Sequence, residues 1–175
     1  MSNSVSIETD RLILRTVTME DIENVAQSWN LDEAPLSRRE AEEQVIWMLE
    51  NHRQNAPGRL IHLCLAIIHK DARVFIGWGG LDHRDQTKAD PVLFYLLKAS
   101  YWGNGLATEA AKAILGYAFG ELGLTRVDSG AAFENTASKR VMEKIGMRYL
   151  GLDEVGGHSF TLTREEYLQD QARYL

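Results

Sequence analysis

Cysteine is almost missing from this 175-residue chain. The single one, Cys64, excludes an intrachain disulfide. Its apolar setting, HLCLAII, predicts a buried core thiol rather than a nucleophile. Proline is scarce as well, with three in all. No Pro/Gly-rich linker breaks the chain, so one domain over residues 1–175 is expected. No apolar run approaches the roughly 20 residues that a bilayer demands. The N-terminus, MSNSVSIETDR, lacks the basic and apolar blocks of a signal peptide. A cytoplasmic protein without a membrane partner is the expectation. Positive charge is in deficit, 19 basic residues against 25 acidic for a net charge of −6. That balance opposes general attraction to nucleic acid, while leaving room for a local basic patch around an anionic ligand. Cysteines and histidines never fall at metal-ligand spacing, so no metal is expected.

What is present reads as a packed core with regular elements, since 45% of residues are apolar and 25% charged. SIETDRLILRTV predicts a first strand, its alternation clearest from Arg11 to Val17. Thr18 opens a helix in TMEDIENVAQSW with Asp21 at the capping-box position, and Ser37 opens another with Glu40 in that role. RLIHLCLAIIHK and RVFIGWGGLDH form a hairpin signal around KDA. PVLFYLLKAS predicts a central strand buried on both faces. Next come a helix in LATEAAKAILGYAFGELG ended by Gly123, a strand in TRVDSGAAF, and a short helix in NTASKRVMEKIG. MRYLGLDEV and HSFTLT predict a closing hairpin around Gly156 and Gly157, and Thr163 caps a last helix. This order describes an α+β (mixed α/β) fold: a central twisted mixed sheet of six to seven strands with helices on both faces. Its parallel part lies around the third helix, because only a crossover joins two strands that way.

The sharpest local feature is YWGNGLATEA, residues 101–110. A strand, a glycine-rich turn and a helix start make an anion site in outline, because first-turn amides lack intrahelical partners and carry the positive end of the helix dipole. Gly103 and Gly105 admit a phosphate without a Cβ in its way and tolerate positive φ. Asn104, Gly105, Leu106, Ala107 and Thr108 then offer amides to a diphosphate. Neither the P-loop Gly-Lys-Ser/Thr nor a complete G-x-G-x-x-G occurs here, the last glycine being replaced by Thr108. An ordinary turn before a helix remains the plain alternative.

YWGNGLATEAAKAIL followed by ENTASKRVMEKIGM resembles the GNAT superfamily of acyl-CoA-dependent N-acetyltransferases, most closely its ribosomal-protein N-terminal acetyltransferase-like branch. The resemblance runs from ETDRLILR to GMRYLG. It implies acetyl-CoA as co-substrate, an amine acceptor, a direct transfer without acyl-enzyme, and a homodimer. By position, the family's Gln/Arg-x-x-Gly-x-Gly/Ala signature falls on Trp102 to Ala107, with Trp102 in place of the Gln or Arg. The strand before it is implied to splay from its parallel neighbour, so that backbone groups at Tyr95, Leu96 and Leu97 hold the pantetheine arm. A backbone N–H near Leu97 is the implied donor to the thioester oxygen. Asn135 matches a contact to the same arm, and is equally a helix N-cap.

The resemblance leaves the proton-transfer groups open. One branch carries a tyrosine seven residues after the asparagine; here that position is Met142. Ser138 is implied to lie within reach of the coenzyme sulfur, and otherwise is a helix-surface serine. The glutamate of the family falls near Gly130, so Asp128, on the same strand face, is a substitute base or else an exposed strand aspartate. His83 has a suitable ordinary pKa, or is a solvated loop residue. Glu109 suits the helix dipole or packs against the loop. Trp29, Trp47 and Trp78 are core or wall residues, and Gly79–Gly80 marks a bulge or a twisted strand end. Arg38 and Arg39 face solvent or an acidic substrate; Asp32, Glu33, Asp153 and Glu154 line an amine site or sit on exposed loops. A peptide N-terminus, a polyamine-like or aminoglycoside-like amine, and an amino-acid analogue all remain open as acceptors. A noncatalytic acyl-CoA-binding domain is the rival from another class.

Overall fold

The computed structural model describes residues 4–28, 34–83 and 90–170. A single sheet runs through it, with eight strands in the order β1-β2-β3-β4-β5-β6-β8-β7. The strands are β1 Ser6–Glu8, β2 Leu12–Thr16, β3 Leu63–His69, β4 Val74–Asp82, β5 Val92–Leu97, β6 Arg126–Ala131, β7 Arg148–Leu152 and β8 His158–Thr163. The helices are α1 Ile22–Ser28, α2 Arg38–His52, α3 Leu106–Gly120, α4 Thr136–Lys144 and α5 Arg164–Gln169. One strand more than expected arises because the first predicted strand folds back on itself. Its chain reverses through Thr9, whose N–H donates to Leu12 O at 3.0 Å, and β1 then pairs antiparallel with β2.

The expected caps form. Ser37 with Glu40, and Thr163 with Glu166, complete capping boxes at α2 and α5; Thr18 with Asp21 does so at a 3₁₀ turn that leads into α1. Arg15 forks onto the buried Asp21 carboxylate at 2.7 and 2.9 Å, tying that turn to β2. The β3–β4 hairpin pairs antiparallel as expected, turning through Arg73 at φ 51°. Its irregularity falls at Ile67/Ile68, while Gly79 and Gly80 sit in regular register with β5. Gly79–Gly80 is therefore no bulge. A Cβ at Gly80 would collide with Leu63 O of β3, so the close approach of two strands explains that glycine.

Side chains alternate across the sheet into two cores. Leu14, Leu65, Ile67, Leu93, Leu97 and Val127 pack beneath α3 and α4 with Ala110, Leu115, Phe119 and Met142. Cys64, Ala66 and Trp78 pack with Val25, Val45 and Met48 of α1 and α2 on the other face. Helices thus cover both faces, and β5 feeds both cores, though only Leu93 and Leu97 are fully buried. Cys64 is buried, and burial pushes its thiol up, as a core role requires. α3 ends at Gly120, a turn before the expected Gly123, which itself adopts φ 62° in the exit loop.

Candidate active site

The helix α3 opens without a side-chain cap. Gly105, its N-cap residue, sits in the left-handed region at φ 76°, and so does Gly103. The first intrahelical bond runs from Glu109 N to Gly105 O, 3.1 Å, so the N–H groups of Leu106, Ala107 and Thr108 have no intrahelical partner. A Cβ built on Gly103 meets nothing within 4 Å, and one on Gly105 meets only Arg11 Nη2 at 3.7 Å. The loop therefore presents open backbone to solvent at the positive end of a fifteen-residue helix. Trp102 and Asn104 are exposed beside it. The indole Nε1 of Trp102 donates to Leu97 O at 2.7 Å, and Asn104 Nδ2 donates to Trp102 O at 3.1 Å. These bonds brace the loop against the end of β5.

A clamp from the first hairpin fixes the same mouth. Glu109 Oε1 accepts from Thr9 Oγ1 at 2.6 Å and from Arg11 N–H at 2.8 Å, while Oε2 takes Arg11 Nε at 2.7 Å. Arg11 Nη1 reaches Asn104 O at 2.9 Å. Burial alone would push the Glu109 carboxyl up. Bonds from Thr9 and Arg11 more than offset that and hold it below the usual range. Glu109 thus packs against the loop. Sequence reasoning did not single out Arg11 or Thr9; their only signal was a polar T-D-R break inside an otherwise regular strand pattern.

Behind the loop, the two parallel strands separate. β5 and β6 pair at a single register position, Val92↔Asp128, with Asp128 N donating to Pro91 O at 2.8 Å. Beyond it only Ser129 Oγ bridges to Leu93 O, at 3.0 Å. On its other edge β5 stays paired with β4 through Leu97. Lys98 N donates to Ile76 O at 2.8 Å. Hydrogen-bonded pairs recur at every second residue of an antiparallel ladder. Phe94 and Leu96 therefore turn their peptide groups to β4, and Leu93, Tyr95 and Leu97 turn theirs to the gap. Leu96 was expected to offer backbone to a ligand; its side chain instead packs on the α1/α2 core and its peptide belongs to the ladder. The gap-facing groups that remain are the Tyr95 peptide and the Leu97 N–H.

The opposite wall of the gap is β6 and the start of α4. Asn135 caps α4, its Oδ1 accepting from Ser138 N at 3.0 Å. Ser138 is half-buried on the first turn, and the Tyr95 hydroxyl lies 3.4 Å from its carbonyl oxygen. Burial pushes the Tyr95 phenol up, partly offset by that bond. Met142 is buried in the core at 2% exposure. Asp128 is not a free base. Arg126 Nε and Nη2 donate to its two oxygens at 2.8 and 3.2 Å, and Thr161 Oγ1 donates to Oδ1 at 2.6 Å. These bonds take both lone-pair sites of Oδ1 and one on Oδ2.

The remaining expectations divide. His83 is not solvated: its Nε2 lies 3.2 Å from Leu60 O and it is half-buried. Trp78 is core at 1% exposure, but Trp47 is 46% exposed and meets the buried His62 ring edge-on at 4.7 Å. Arg38 and Arg39 pair with Glu23 and Glu43 on the surface. Asp153 accepts from Gly157 N at 2.7 Å inside the closing turn, and Glu154 is exposed. Trp29, Asp32 and Glu33 lie outside the described residues. His62 and Asp82, 3.4 Å apart, were not anticipated. Among the described residues no group of three or more His, Cys, Asp or Glu could hold a metal ion, and no helix is long and apolar enough to cross a membrane.

Comparison with known proteins agrees with this geometry. The acetyltransferase (GNAT) domain family matches residues 11–148. The uncharacterized N-acetyltransferase YoaA of Bacillus subtilis (strain 168) is 30% identical over 153 residues, covering 83% of this chain and 84% of that protein. Among solved structures, a GNAT-family acetyltransferase from Bacillus anthracis superposes with a TM-score of 0.70 at 23% identity, over 92% of this chain and 99% of the other. The ribosomal-protein-S5-alanine acetyltransferase of Vibrio fischeri superposes with a TM-score of 0.76 at 14% identity, over 93% and 98%. Helix mouth, strand gap and family match converge: this chain is an acyltransferase and belongs to the GNAT acetyltransferase superfamily.

Proposed function

We propose that the protein transfers the acetyl group of acetyl-CoA directly to a primary amine. The observation that carries this reading is the single-position pairing of β5 with β6, which opens a gap leading to the uncapped, positive-φ mouth of α3. The diphosphate of the coenzyme takes the amides of Leu106, Ala107 and Thr108, with Asn104 and Gly105 at the rim. Gly103 and Trp102 complete that loop. The pantetheine arm then lies along the gap and takes the Tyr95 peptide as a strand would. Asn135 and Ser138 line its far side. The Leu97 N–H meets the thioester oxygen as it turns negative, a role suited to a backbone donor that is fixed in advance.

The acceptor must arrive or become neutral, because an alkylammonium has a pKa of about 10 and no lone pair to attack with. With Asp128 committed to Arg126 and Thr161, this reading routes that proton through water rather than a side-chain base. Ser138 orients the sulfur from the first turn of α4. The acceptor class stays at the level of a primary amine: a small polyamine or sugar amine, an amino-acid analogue, or a peptide N-terminus.

The test is an amine panel with acetyl-CoA, read by release of free thiol and by mass gain of the amine, alongside calorimetry of CoA binding. Thiol release matched by acetylated amine supports the proposal. Tight CoA binding with no thiol release across the panel would assign the chain to acyl-CoA sensing instead.

A further inference from the structure

The glycine loop at the α3 mouth has few bonds of its own. Among the described residues, Gly103 and Asn104 make no backbone–backbone hydrogen bond, and the glycines on either side of Asn104 both sit at φ 76°. Two side chains hold the loop instead. The Trp102 indole ties its start to Leu97 O. At its far end, Arg11 Nη1 donates to the Asn104 carbonyl at 2.9 Å, arriving from the turn between β1 and β2. That guanidinium is itself aimed by Glu109. Arg11 Nε and Nη2 both meet Glu109 Oε2, at 2.7 and 2.6 Å, while Oε1 is fixed by Thr9 Oγ1 and the Arg11 N–H. The Glu109 side chain is 16% exposed and that of Arg11 45%, so the carboxylate is the anchor and the guanidinium the part that reaches the loop. A planar fork sets the directions of two acceptors at once; an ammonium on a flexible stem does not.

We infer that Arg11, aimed by Glu109, is a positioning residue for the coenzyme: through the Asn104 carbonyl it holds the loop in the shape that leaves the α3 amides open. The inference rests on the acetyl-CoA reading above. Arg11 itself need not touch the coenzyme. The clamp orders the loop in the free protein, so that binding does not have to supply that ordering. Without it the open shape is one of several, and the apparent dissociation constant rises by the inverse of its share. The same arrangement accounts for a carboxylate in the first turn of a helix whose open end is assigned to a diphosphate. Unpaired, Glu109 would repel the phosphates. Paired, it stands behind a guanidinium whose free end lies on the loop.

Arg11→Gln, Arg11→Lys, Glu109→Gln and the double variant Arg11→Gln/Glu109→Gln test this in the full chain. Arg15→Gln is the control, because Arg15 belongs to the same hairpin and its bonds go to Thr16 and Asp21, away from the loop. Calorimetry reads CoA affinity and needs no acceptor; urea unfolding reads stability; KM and kcat for acetyl-CoA follow with the amine that reacts fastest. Arg11→Gln and Glu109→Gln should each weaken CoA by roughly tenfold, the result when the open shape falls to about a tenth of the population. The double variant should stay within about threefold of either, since both residues serve one bond. Arg11→Lys keeps the charge without the fork and should stay within about threefold of Arg11→Gln. Arg15→Gln should lose stability and keep CoA affinity within about twofold. KM should rise with CoA affinity lost while kcat holds within about threefold. Parental affinity in Arg11→Gln overturns the inference. So does its recovery in Arg11→Lys, which would make charge alone the cause, or in the double variant, which would make it repulsion by a bare Glu109. A fall in kcat at unchanged KM would leave the clamp merely structural and overturns it too. Each of these results leaves the coenzyme site standing, whereas failure of the parent chain to bind CoA overturns both.

Discussion

Replacing Gly105 by alanine separates the two things that glycine does. In the folded chain it adopts φ 76°, and the added methyl would meet only Arg11 Nη2 at 3.7 Å, an ordinary contact. The cost to folding is therefore conformational rather than steric, about 1–2 kcal/mol for an L-residue in the left-handed region. For a domain of this size that corresponds to a fall in Tm of roughly 2–8 °C. The cost to binding is different in kind. The methyl adds bulk at the N-cap, next to the free amides to which the proposed function assigns the diphosphate. Charge-assisted bonds contribute about 1.5–3 kcal/mol each, and losing one weakens CoA by about 10–100-fold at 1.4 kcal/mol per decade.

Gly58 supplies the control. It has φ 74°, a Cβ there meets nothing within 4 Å, and it lies in the turn between α2 and β3, where its N–H donates at 2.7 Å to the carbonyl of Leu122, past the opposite end of α3 from YWGNG. Gly58→Ala should lose similar stability and keep parental CoA affinity. Urea unfolding and calorimetry on both variants read the two quantities separately. If Gly105→Ala weakens CoA no more than Gly58→Ala does, the diphosphate does not sit at this helix mouth.

Three further outcomes follow from the contacts described above. Glu109→Gln should cost about 1–3 kcal/mol at neutral pH and flatten the acid limb of stability. Because the folded carboxyl lies below its ordinary value of 4.5, its contribution is complete above that pH and disappears as pH falls through the lower folded value; denaturant titrations from pH 3 to 7 would show parent and variant converging at the acid end. Asp128→Asn should lower stability by about 1–2 kcal/mol through its bonds to Arg126 and Thr161. It should leave the pH profile of turnover in place, and a loss of about a hundredfold or more in kcat would restore Asp128 as the base. Cys64, buried beside Trp78 with its thiol pushed up, should resist alkylation by iodoacetamide in the native state and react once urea unfolds the chain.

What the sequence revealed and what it hid differ by the range of the interactions. Caps are local, and Thr18/Asp21, Ser37/Glu40 and Thr163/Glu166 each announce a helix start within four residues. The α3 mouth is local too, since two glycines before a run of helix formers are enough to suggest positive φ and free amides. Strand parity likewise put Asp128 and Gly130 on one face. Parity could not tell which edge of β5 would stay hydrogen-bonded, because that depends on where β6 parts from it. Leu96 was therefore counted with Tyr95 and Leu97, although its peptide belongs to the β4 ladder.

The partners of charged residues were the hardest to read. Asp128 has nothing beside it in the sequence to mark a donor except Arg126, two residues away on the same face; the bond that completes its shell comes from Thr161, 33 residues further on. The Glu109 clamp spans about a hundred residues. A carboxylate free to take a proton and one whose oxygens are already occupied look the same in a sequence, so base assignments made by position alone lean toward catalysis. Tyr95, singled out for its backbone because it precedes the glycine loop, also has a side chain whose reach was hidden: its hydroxyl lies 3.4 Å from the Ser138 carbonyl, 43 residues further on. The gap behind the α3 mouth, by contrast, is the consequence of one parting of strands, at Val92↔Asp128.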